Sequence, residues 1–134
     1  MHLIDITDEL AMSELIGEVK PDIVFHAAAK KHLPLLQKSP HMAIRVNVFG
    51  TLSVIKAASL HGVPQVVNIS TDKAADPSSV LGWSKRLAEL IGAHYSGLTT
   101  KVTSVRFGNV LGSNGSLLPV IQHKLDNNLP IQIT

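Results

Sequence analysis

The sequence predicts an α/β fold in which helices cover both faces of a parallel sheet. Apolar runs of strand length alternate along the chain with segments whose apolar residues recur at helical spacing. Apolar residues make up 45% of the 134 residues, and the mean hydropathy of +0.22 is at the apolar end for a soluble protein. Such a composition is expected of strands that are buried on both sides. A chain of this length has room for one domain with its own core.

The first half of the chain predicts two helices on either side of a strand. Apolar residues at helical spacing run from residue 9 to residue 19, and an apolar strand follows at 22–26. Ser39 and Pro40 form a helix start, with a capping hydroxyl followed by proline at the first helical position. This second helix is predicted to continue to about His61 and to end at Gly62.

The second half predicts the rest of the sheet. Strands are predicted at 65–69, 101–107 and 131–133, and a helix at 118–125. A further helix is predicted to be capped by Ser78 or Ser79 and to end near Tyr95. Buried strands joined by helical crossovers pair in parallel. Ligands bind such sheets beyond the carboxyl ends of the strands.

Three polar or small-residue segments are predicted to meet at that edge of the sheet. They are HAAA at 26–29, STDK at 70–73 and GWSK at 82–85. The alanines allow a bulky ligand to approach the backbone, and STDK combines hydroxyls, a carboxylate and an amine within four residues. Each pattern alone is more often ordinary packing or a solvated turn. Their coincidence in one sheet favours a ligand site.

Charge and composition argue against several classes of protein. The formal charge is +2 with scattered Lys and Arg, and the aromatic residues are one Trp, one Tyr and three Phe, so a nucleic-acid surface is not expected. There is no Cys, and the seven His residues lack metal-ligand spacing, so neither disulfides nor a metal site is expected. No apolar run approaches the roughly 18 residues of a membrane span and no signal peptide is seen, which predicts a cytoplasmic chain. A few suitably placed Lys or Arg side chains would still be enough to bind an anionic small molecule.

Five motifs together resemble a known enzyme family. They are DIVFHAAAKKHLPLL at 22–36, NVFGT at 47–51, ISTDKAADP at 69–77, GWSKRLAE at 82–89 and VRFGNVLGSNGS at 105–116. In this order and spacing they resemble the polysaccharide-biosynthesis branch of the extended short-chain dehydrogenases, which includes the UDP-N-acetylglucosamine 4,6-dehydratases. The resemblance runs from about residue 3 to residue 134. It implies a Rossmann-like sheet, a bound NAD (NADP is less expected), a UDP-sugar substrate and a homo-oligomer.

The resemblance also implies roles for the matching positions. The implied catalytic residues are Thr71, Asp72, Lys73 and Lys85. The implied cofactor-binding residues are Asp5, Ile6, Ala27, Ala28, Ala29, Asn47, Ser70, Lys85, Phe107 and Val110, with Asp5 and Ile6 at the adenine. The implied substrate-binding residues are Lys31, His32, Arg106, Asn109, Ser113 and Ser116.

The family reaction explains why such groups occur together. A 4,6-dehydratase oxidises the sugar at C4 by hydride transfer to NAD, which acidifies the C5 hydrogen, and the hydride is later returned to C6. By family analogy Lys73 is the base at C5, Asp72 is the acid that protonates the departing C6 hydroxyl, and Thr71 orients the reacting hydroxyl. A lysine base must be partly neutral, so we expect burial or the nearby Lys85 to lower the pKa of Lys73.

Two departures from the family pattern qualify this interpretation. The usual Tyr-x-x-x-Lys pair has Leu81 at the tyrosine position, so the C4 proton must leave through Thr71 and Asp72 or through water. The family's glycine-rich turn, which places the pyrophosphate on a helix N-terminus, is absent from the sequence. We therefore expect residues 1–134 to be the central, catalytic part of the domain, truncated at both ends and lacking the first βαβ unit. Alone it is expected to bind NAD weakly and to be inactive.

Two alternatives to the dehydratase stay open. A UDP-hexosamine 4-epimerase shares the C4 oxidation but needs no base at C5, so Asp72 and Lys73 favour the dehydratase. A fragment that binds nucleotide-sugar without turnover would explain Leu81 and the missing turn. Larger members of the branch are membrane-anchored, so the complete protein could lie at the cytoplasmic face of the inner membrane.

Overall fold

A computed structural model describes residues 1–97, 99–110 and 117–131 of the chain. The strands are β1 Ile23–His26, β2 Gln65–Thr71 and β3 Lys101–Phe107. The helices are α1 Glu9–Val19, α2 Leu33–Lys38, α3 Pro40–Ala43, α4 Thr51–Leu60, α5 Val80–Tyr95 and α6 Leu117–Asp126. A π-helical segment, Ile44–Gly50, joins α3 to α4, and a 3-10 turn, Asp72–Ala74, follows β2.

The three strands form one parallel sheet in the order β1-β2-β3, which confirms the predicted fold class. His26 at the end of β1 pairs with Asn68 of β2, and Thr71 at the end of β2 pairs with Phe107 at the end of β3. The carboxyl ends of the strands, and the polar segments that follow them, therefore lie at one edge of the sheet.

The main core fills one face of this sheet. Val24, Val66 and Val102 stand at matching positions of the three strands and project to the same side. They pack against apolar side chains of α1 and α4 together with Ile91 and Tyr95 of α5. Full burial of a side chain such as Val66, which has no exposed surface, stabilises the fold by about 1.5–3 kcal/mol.

Helices were expected on both faces, and in the described residues α1, α4 and α5 share a single face. On the opposite side of β1, Ile23 is 45% exposed and Phe25 is 70% exposed. For α4 and α5 the reason is topological: they join strands that are consecutive neighbours in one direction, and right-handed crossovers then lie on the same side.

The predicted element bounds agree closely with the structure except in three places. Ser79 caps α5 through a 3.2 Å bond that its Oγ accepts from the Gly82 amide, but the hydroxyl of Ser39 makes no capping bond. Helix α2 was not predicted; it begins with Leu33 and Pro34, a residue that suits a first helical turn. Of the predicted strand 131–133, residue 131 carries no strand and the others lie outside the described residues.

The run Pro40–Leu60 is, within the part of the chain described, the one helical stretch whose length and apolar composition would suit a membrane span. Its most apolar window is 56% buried inside the protein. Buried Ile55 and Ala58 face the core, which is the placement expected of a core helix.

Candidate active site

The carboxyl end of β2 carries a compact group of polar side chains. Oδ1 of Asp72 accepts hydrogen bonds from the Thr71 hydroxyl at 2.9 Å, from the Lys73 amide at 2.8 Å and from Lys73 Nζ at 3.0 Å. The other oxygen, Oδ2, lies 4.0 Å from the point where a Cβ on Gly108 would stand. The three residues that the sequence assigns to proton transfer are therefore in direct contact.

The charges within this group differ from the expected arrangement. The hydrogen bonds that Asp72 accepts from Lys73 and Thr71 lower the pKa of its carboxyl, so Asp72 is a carboxylate at neutral pH. The side chain of Lys73 is 41% exposed and forms an ion pair with Asp72. Of the two expected influences on Lys73, burial and the nearby Lys85, burial is not found, since the side chain is 41% exposed.

Lys85 lies behind this group on α5, with 6% of its surface exposed. Its Nζ donates a 2.8 Å hydrogen bond to the carbonyl oxygen of Ile69, two residues before Thr71. Burial lowers the pKa of Lys85, and the Glu89 carboxylate partly opposes this by favouring the charged form. The ammonium is thus held against the main chain of β2.

Leu81, at the position of the usual tyrosine, has a packing role. It is 7% exposed and forms a small apolar cluster with Leu36 of α2 and Ala43 of α3. The cluster joins these short helices to α5. The Leu81 side chain itself has no atom that could take or give a proton.

Gly82 allows α5 to approach the 3-10 turn Asp72–Ala74. A Cβ at Gly82 would lie 2.6 Å from the Lys73 carbonyl oxygen and 3.1 Å from Cβ of Pro77. Since the first contact is with backbone, a side chain at this position requires the turn to move.

We expect Gly82→Ala to lower kcat by at least about tenfold, because the shifted turn carries Asp72 and Lys73. Overpacking costs about 1–3 kcal/mol, of which the higher helix propensity of alanine offsets about 1 kcal/mol. Gly92→Ala on the same helix is the matched control, since its Cβ would meet side chains and no backbone: a methyl of Val102 at 3.0 Å, with Ser104 and Ile55 no nearer than 3.8 Å. Steady-state kinetics and thermal unfolding of both variants in the full-length protein check this. Equal kcat in the two variants would contradict it.

Asn47 clamps the loop that follows β1. It is fully buried in the π-helical segment, and its Oδ1 accepts a 2.8 Å bond from the Lys30 amide. Its Nδ2 donates to the Lys30 carbonyl at 2.9 Å and to Ser84 Oγ at 3.0 Å. Ser84 in turn donates to the Leu81 carbonyl at 2.9 Å. Asn47 therefore joins the loop at residues 27–30 to α5 and holds it at the edge of the sheet where a ligand is expected to bind.

His26 continues this network beneath the loop. Its Nε2 lies 2.9 Å from Oγ1 of Thr51, and that hydroxyl lies 2.7 Å from the Asn47 carbonyl oxygen. Since the single hydroxyl proton goes to the carbonyl, Thr51 accepts from His26 and the proton of the imidazole is on Nε2. Burial, and secondarily the charge of Lys85, lowers the pKa of His26 to about 4, so the ring is neutral at pH 7.

Glu89 is a site-adjacent residue that the sequence analysis missed. Its carboxylate accepts two hydrogen bonds from Arg106, at 2.8 and 2.7 Å, one from Ser70 Oγ at 2.6 Å and one from Arg86 at 3.2 Å. The contacts with Arg106, followed by Ser70 and Arg86, lower the pKa of Glu89 to about 2. Ser70 and Arg106, predicted to bind ligands, are thus engaged within the protein. The sequence offered one signal for Glu89: it lies four residues after Lys85, which places both on one face of the helix.

The end of β1 borders an open groove of about 440 Å³ with mostly apolar walls. Ala27 and Ala28 line one end, and Ile6 and Val24 contribute to its walls. Small side chains leave the backbone accessible to a phosphate, and the apolar walls suit a flat ring. The residues present therefore fit part of a dinucleotide.

Other predicted ligand residues surround the same edge. Ala29, Lys31 and His32 line a second groove, of about 590 Å³, between the loop and α2. Asp5 is exposed, and hydrogen bonds from the amide and hydroxyl of Thr7 to its Oδ1 lower its pKa. Phe107 at the end of β3 is exposed, as are Asn109 and Val110 beyond it, whereas Ser113 and Ser116 lie outside the described residues. Among the residues described, no group of three His, Cys, Asp or Glu side chains could hold a metal ion.

Comparison with curated proteins finds relatives of two enzyme kinds. The chain is 42% identical over 132 residues to the capsular polysaccharide biosynthesis protein CapD of Staphylococcus aureus, covering 97% of the chain and 22% of that protein. It is 32% identical to a UDP-N-acetylglucosamine 4,6-dehydratase (inverting) of Campylobacter jejuni, covering 97% of the chain and 40% of the relative. It is 36% identical to a UDP-glucose 4-epimerase of Rickettsia bellii, covering 84% and 34%. The chain thus spans well under half the length of these relatives.

Solved structures share the fold. Pen from Bacillus thuringiensis matches with a TM-score of 0.92 and 35% identity, over 98% of this chain and 41% of that one. The Bordetella bronchiseptica enzyme WbmH, solved in complex with NAD+, matches with a TM-score of 0.83 and 22% identity over 94% and 46%, and supports the fold alone.

A family model described as polysaccharide biosynthesis protein matches residues 1–134, the full length of the chain. The relatives at 32–42% identity include a sugar-nucleotide dehydratase and a sugar-nucleotide epimerase. The chain belongs to the polysaccharide biosynthesis protein family of extended short-chain dehydrogenases.

Proposed function

We propose that this chain is the catalytic part of an NAD-dependent 4,6-dehydratase that acts on a UDP-N-acetylhexosamine in surface-polysaccharide or glycoconjugate synthesis. The observation that carries the proposal is the contact of Asp72 with Lys73 and Thr71 at the end of β2. A dehydratase needs one base and one acid on neighbouring atoms of the sugar, and these groups supply both.

Bound NAD would supply hydride acceptance from C4 and hydride return to C6. Ala27 and Ala28 are proposed to hold it where they border the groove, and Lys85 to hold its nicotinamide ribose. The contact of Lys85 with the Ile69 carbonyl shows that its ammonium can bond an oxygen at this edge. On binding of NAD that bond is expected to be exchanged or shared with the ribose.

Proton transfer falls to the polar group, because Leu81 carries no ionisable atom. The Thr71 hydroxyl, which donates to Asp72 at 2.9 Å, is proposed to orient the C4 hydroxyl, whose proton leaves to water. One proton then passes from Lys73 to Asp72 across their 3.0 Å contact, which leaves a neutral amine and a carboxylic acid. Lys73 takes the C5 proton and later returns it to C5, Asp72 protonates the C6 hydroxyl as it leaves as water, and Lys73 regains a proton from water at the end of the cycle.

The activity is tested by incubating the full-length protein with UDP-N-acetylglucosamine. We expect a 4-keto-6-deoxy product, seen as the loss of one water by mass spectrometry and as a C6 methyl group by NMR. Failure to lose water in a protein that retains NAD would overturn the proposal.

A 4-epimerase is the second candidate, favoured by the relative of that name at 36% identity. Both reactions begin with C4 oxidation, but only the dehydratase removes the C5 hydrogen. Inversion at C4 with the C5 hydrogen retained would establish the epimerase.

A further inference from the structure

We propose that Glu89 is a positioning residue, which sets the end of β2 and the ammonium of Lys85 in the geometry required for catalysis. The inference rests on the proposed function for the role of Lys85. The position of Glu89 behind the site is independent of that function.

The carboxylate joins three elements at one point. Ser70 of β2 and Arg106 of β3 are direct partners in the parallel register, so both side chains project from the sheet toward α5. The Glu89 carboxylate accepts one hydrogen bond from the Ser70 hydroxyl and two from the Arg106 guanidinium. Only 9% of the Glu89 side chain is exposed. The Arg106 side chain is 37% exposed, but its two parallel bonds to one carboxylate give the pair a defined geometry that a single-contact surface ion pair lacks.

These contacts stand directly behind the proposed catalytic groups. Ser70 immediately precedes Thr71, and Arg106 immediately precedes Phe107, which pairs with Thr71. One turn earlier on α5, Lys85 bonds the carbonyl of Ile69. Two successive turns of α5 therefore hold two successive residues of β2, and together they determine where Thr71 begins the catalytic turn.

Glu89 also acts on the charge of Lys85. Burial disfavours the ammonium, and Glu89 is the anion that offsets this effect. The other titratable group coupled to Lys85 is His26 of β1, which is neutral at pH 7. Arg86 and Arg106 face the carboxylate and hold it ionised. Loss of the negative charge would therefore lower the pKa at which Lys85 loses its proton.

The test uses three variants of the full-length protein. Glu89→Gln removes the charge, and Glu89→Asp keeps the charge but is one methylene too short. Glu18→Gln, on the exposed surface of α1, is the control for loss of a glutamate charge outside this cluster. We expect Glu89→Gln to lower kcat about 10- to 100-fold with KM changed less than about threefold, and to move the alkaline limb of the kcat profile to lower pH. Glu89→Asp is expected to restore the alkaline limb but not kcat, and Glu18→Gln to match the unmodified protein.

A second readout does not depend on turnover. The pH dependence of amine labelling at Lys85, followed by peptide mass spectrometry, is expected to shift to lower pH in Glu89→Gln and not in Glu89→Asp. If the unmodified protein forms no dehydrated product but this shift occurs, the positioning role stands and the proposed function fails. Unchanged kcat and unchanged labelling in Glu89→Gln would overturn the positioning role. If Glu89→Gln does not fold, Glu89→Asp decides: kcat equal to that of the unmodified protein would overturn it.

Discussion

Replacing Lys73 with methionine is expected to abolish exchange of the C5 hydrogen of the sugar with solvent while C4 oxidation continues. Methionine keeps the length of the side chain but has no basic nitrogen. Removal of a general base costs about 10²- to 10⁴-fold in rate. Deuterium incorporation at C5, followed by NMR in the full-length protein, measures this step. The absorbance of the reduced cofactor reports C4 oxidation in the same sample.

Asp72→Asn separates the acid from the base. Its amide resembles the carboxyl in size but is not an acid, so C5 exchange is expected to persist while water loss slows about 100-fold or more. The control for Lys73→Met is Lys38→Met, which removes an exposed lysine on α2. If Asp72→Asn stops C5 exchange and Lys73→Met does not, the two roles are the reverse of those proposed.

The state of Asp72 makes this comparison informative. Since contacts with Lys73 and Thr71 lower the pKa of Asp72, protonation from solvent would require a pH below the ordinary range of a carboxyl. We therefore propose that the proton Asp72 donates reaches it from Lys73, across their 3.0 Å contact. A bound sugar would exclude water from the exposed pair, which disfavours separated charges and promotes this transfer.

Local patterns were sufficient to predict the elements and the edge that carries the site. Apolar alternation and the polar residues after Ile69 placed Thr71 and Asp72 at a strand end, because both signals are contained within a few residues. Helix α2 was missed because six residues are too few to show a period, and its single buried leucine, Leu36, packs against residues distant in sequence.

The contacts that depend on strand register could not be predicted. Ser70 and Arg106 meet at Glu89 because β2 and β3 pair at those two positions, and no local pattern encodes this pairing. The same holds for Leu81, whose burial depends on α2 and α3 covering it. A regular helix over 40–61 was predicted, but Ile44–Gly50, which includes Asn47, is a π-helical segment. Such segments are rare, and apolar spacing gave no signal for one.

Replacing Asn47 with alanine is expected to destabilise the protein by about 2–4 kcal/mol. The substitution removes three hydrogen bonds of a fully buried amide and leaves the amide and carbonyl of Lys30 without their partner. The loop from Ala27 to Lys30 then loses its attachment to the π-helical segment. Denaturant unfolding of the full-length protein measures the stability, and hydrogen exchange at the Lys30 amide measures the attachment of the loop.

Asn127→Ala is the matched control for Asn47→Ala. Asn127 is exposed near the end of α6, and its Nδ2 donates a 2.8 Å bond to the His123 carbonyl four residues away. Loss of this local contact is expected to cost no more than about 0.5 kcal/mol, because water replaces it. Weaker NAD binding is expected for Asn47→Ala alone, since the loop that borders the proposed cofactor groove loosens. If both variants unfold at the same denaturant concentration and Lys30 stays protected in each, the loop is held by contacts other than Asn47.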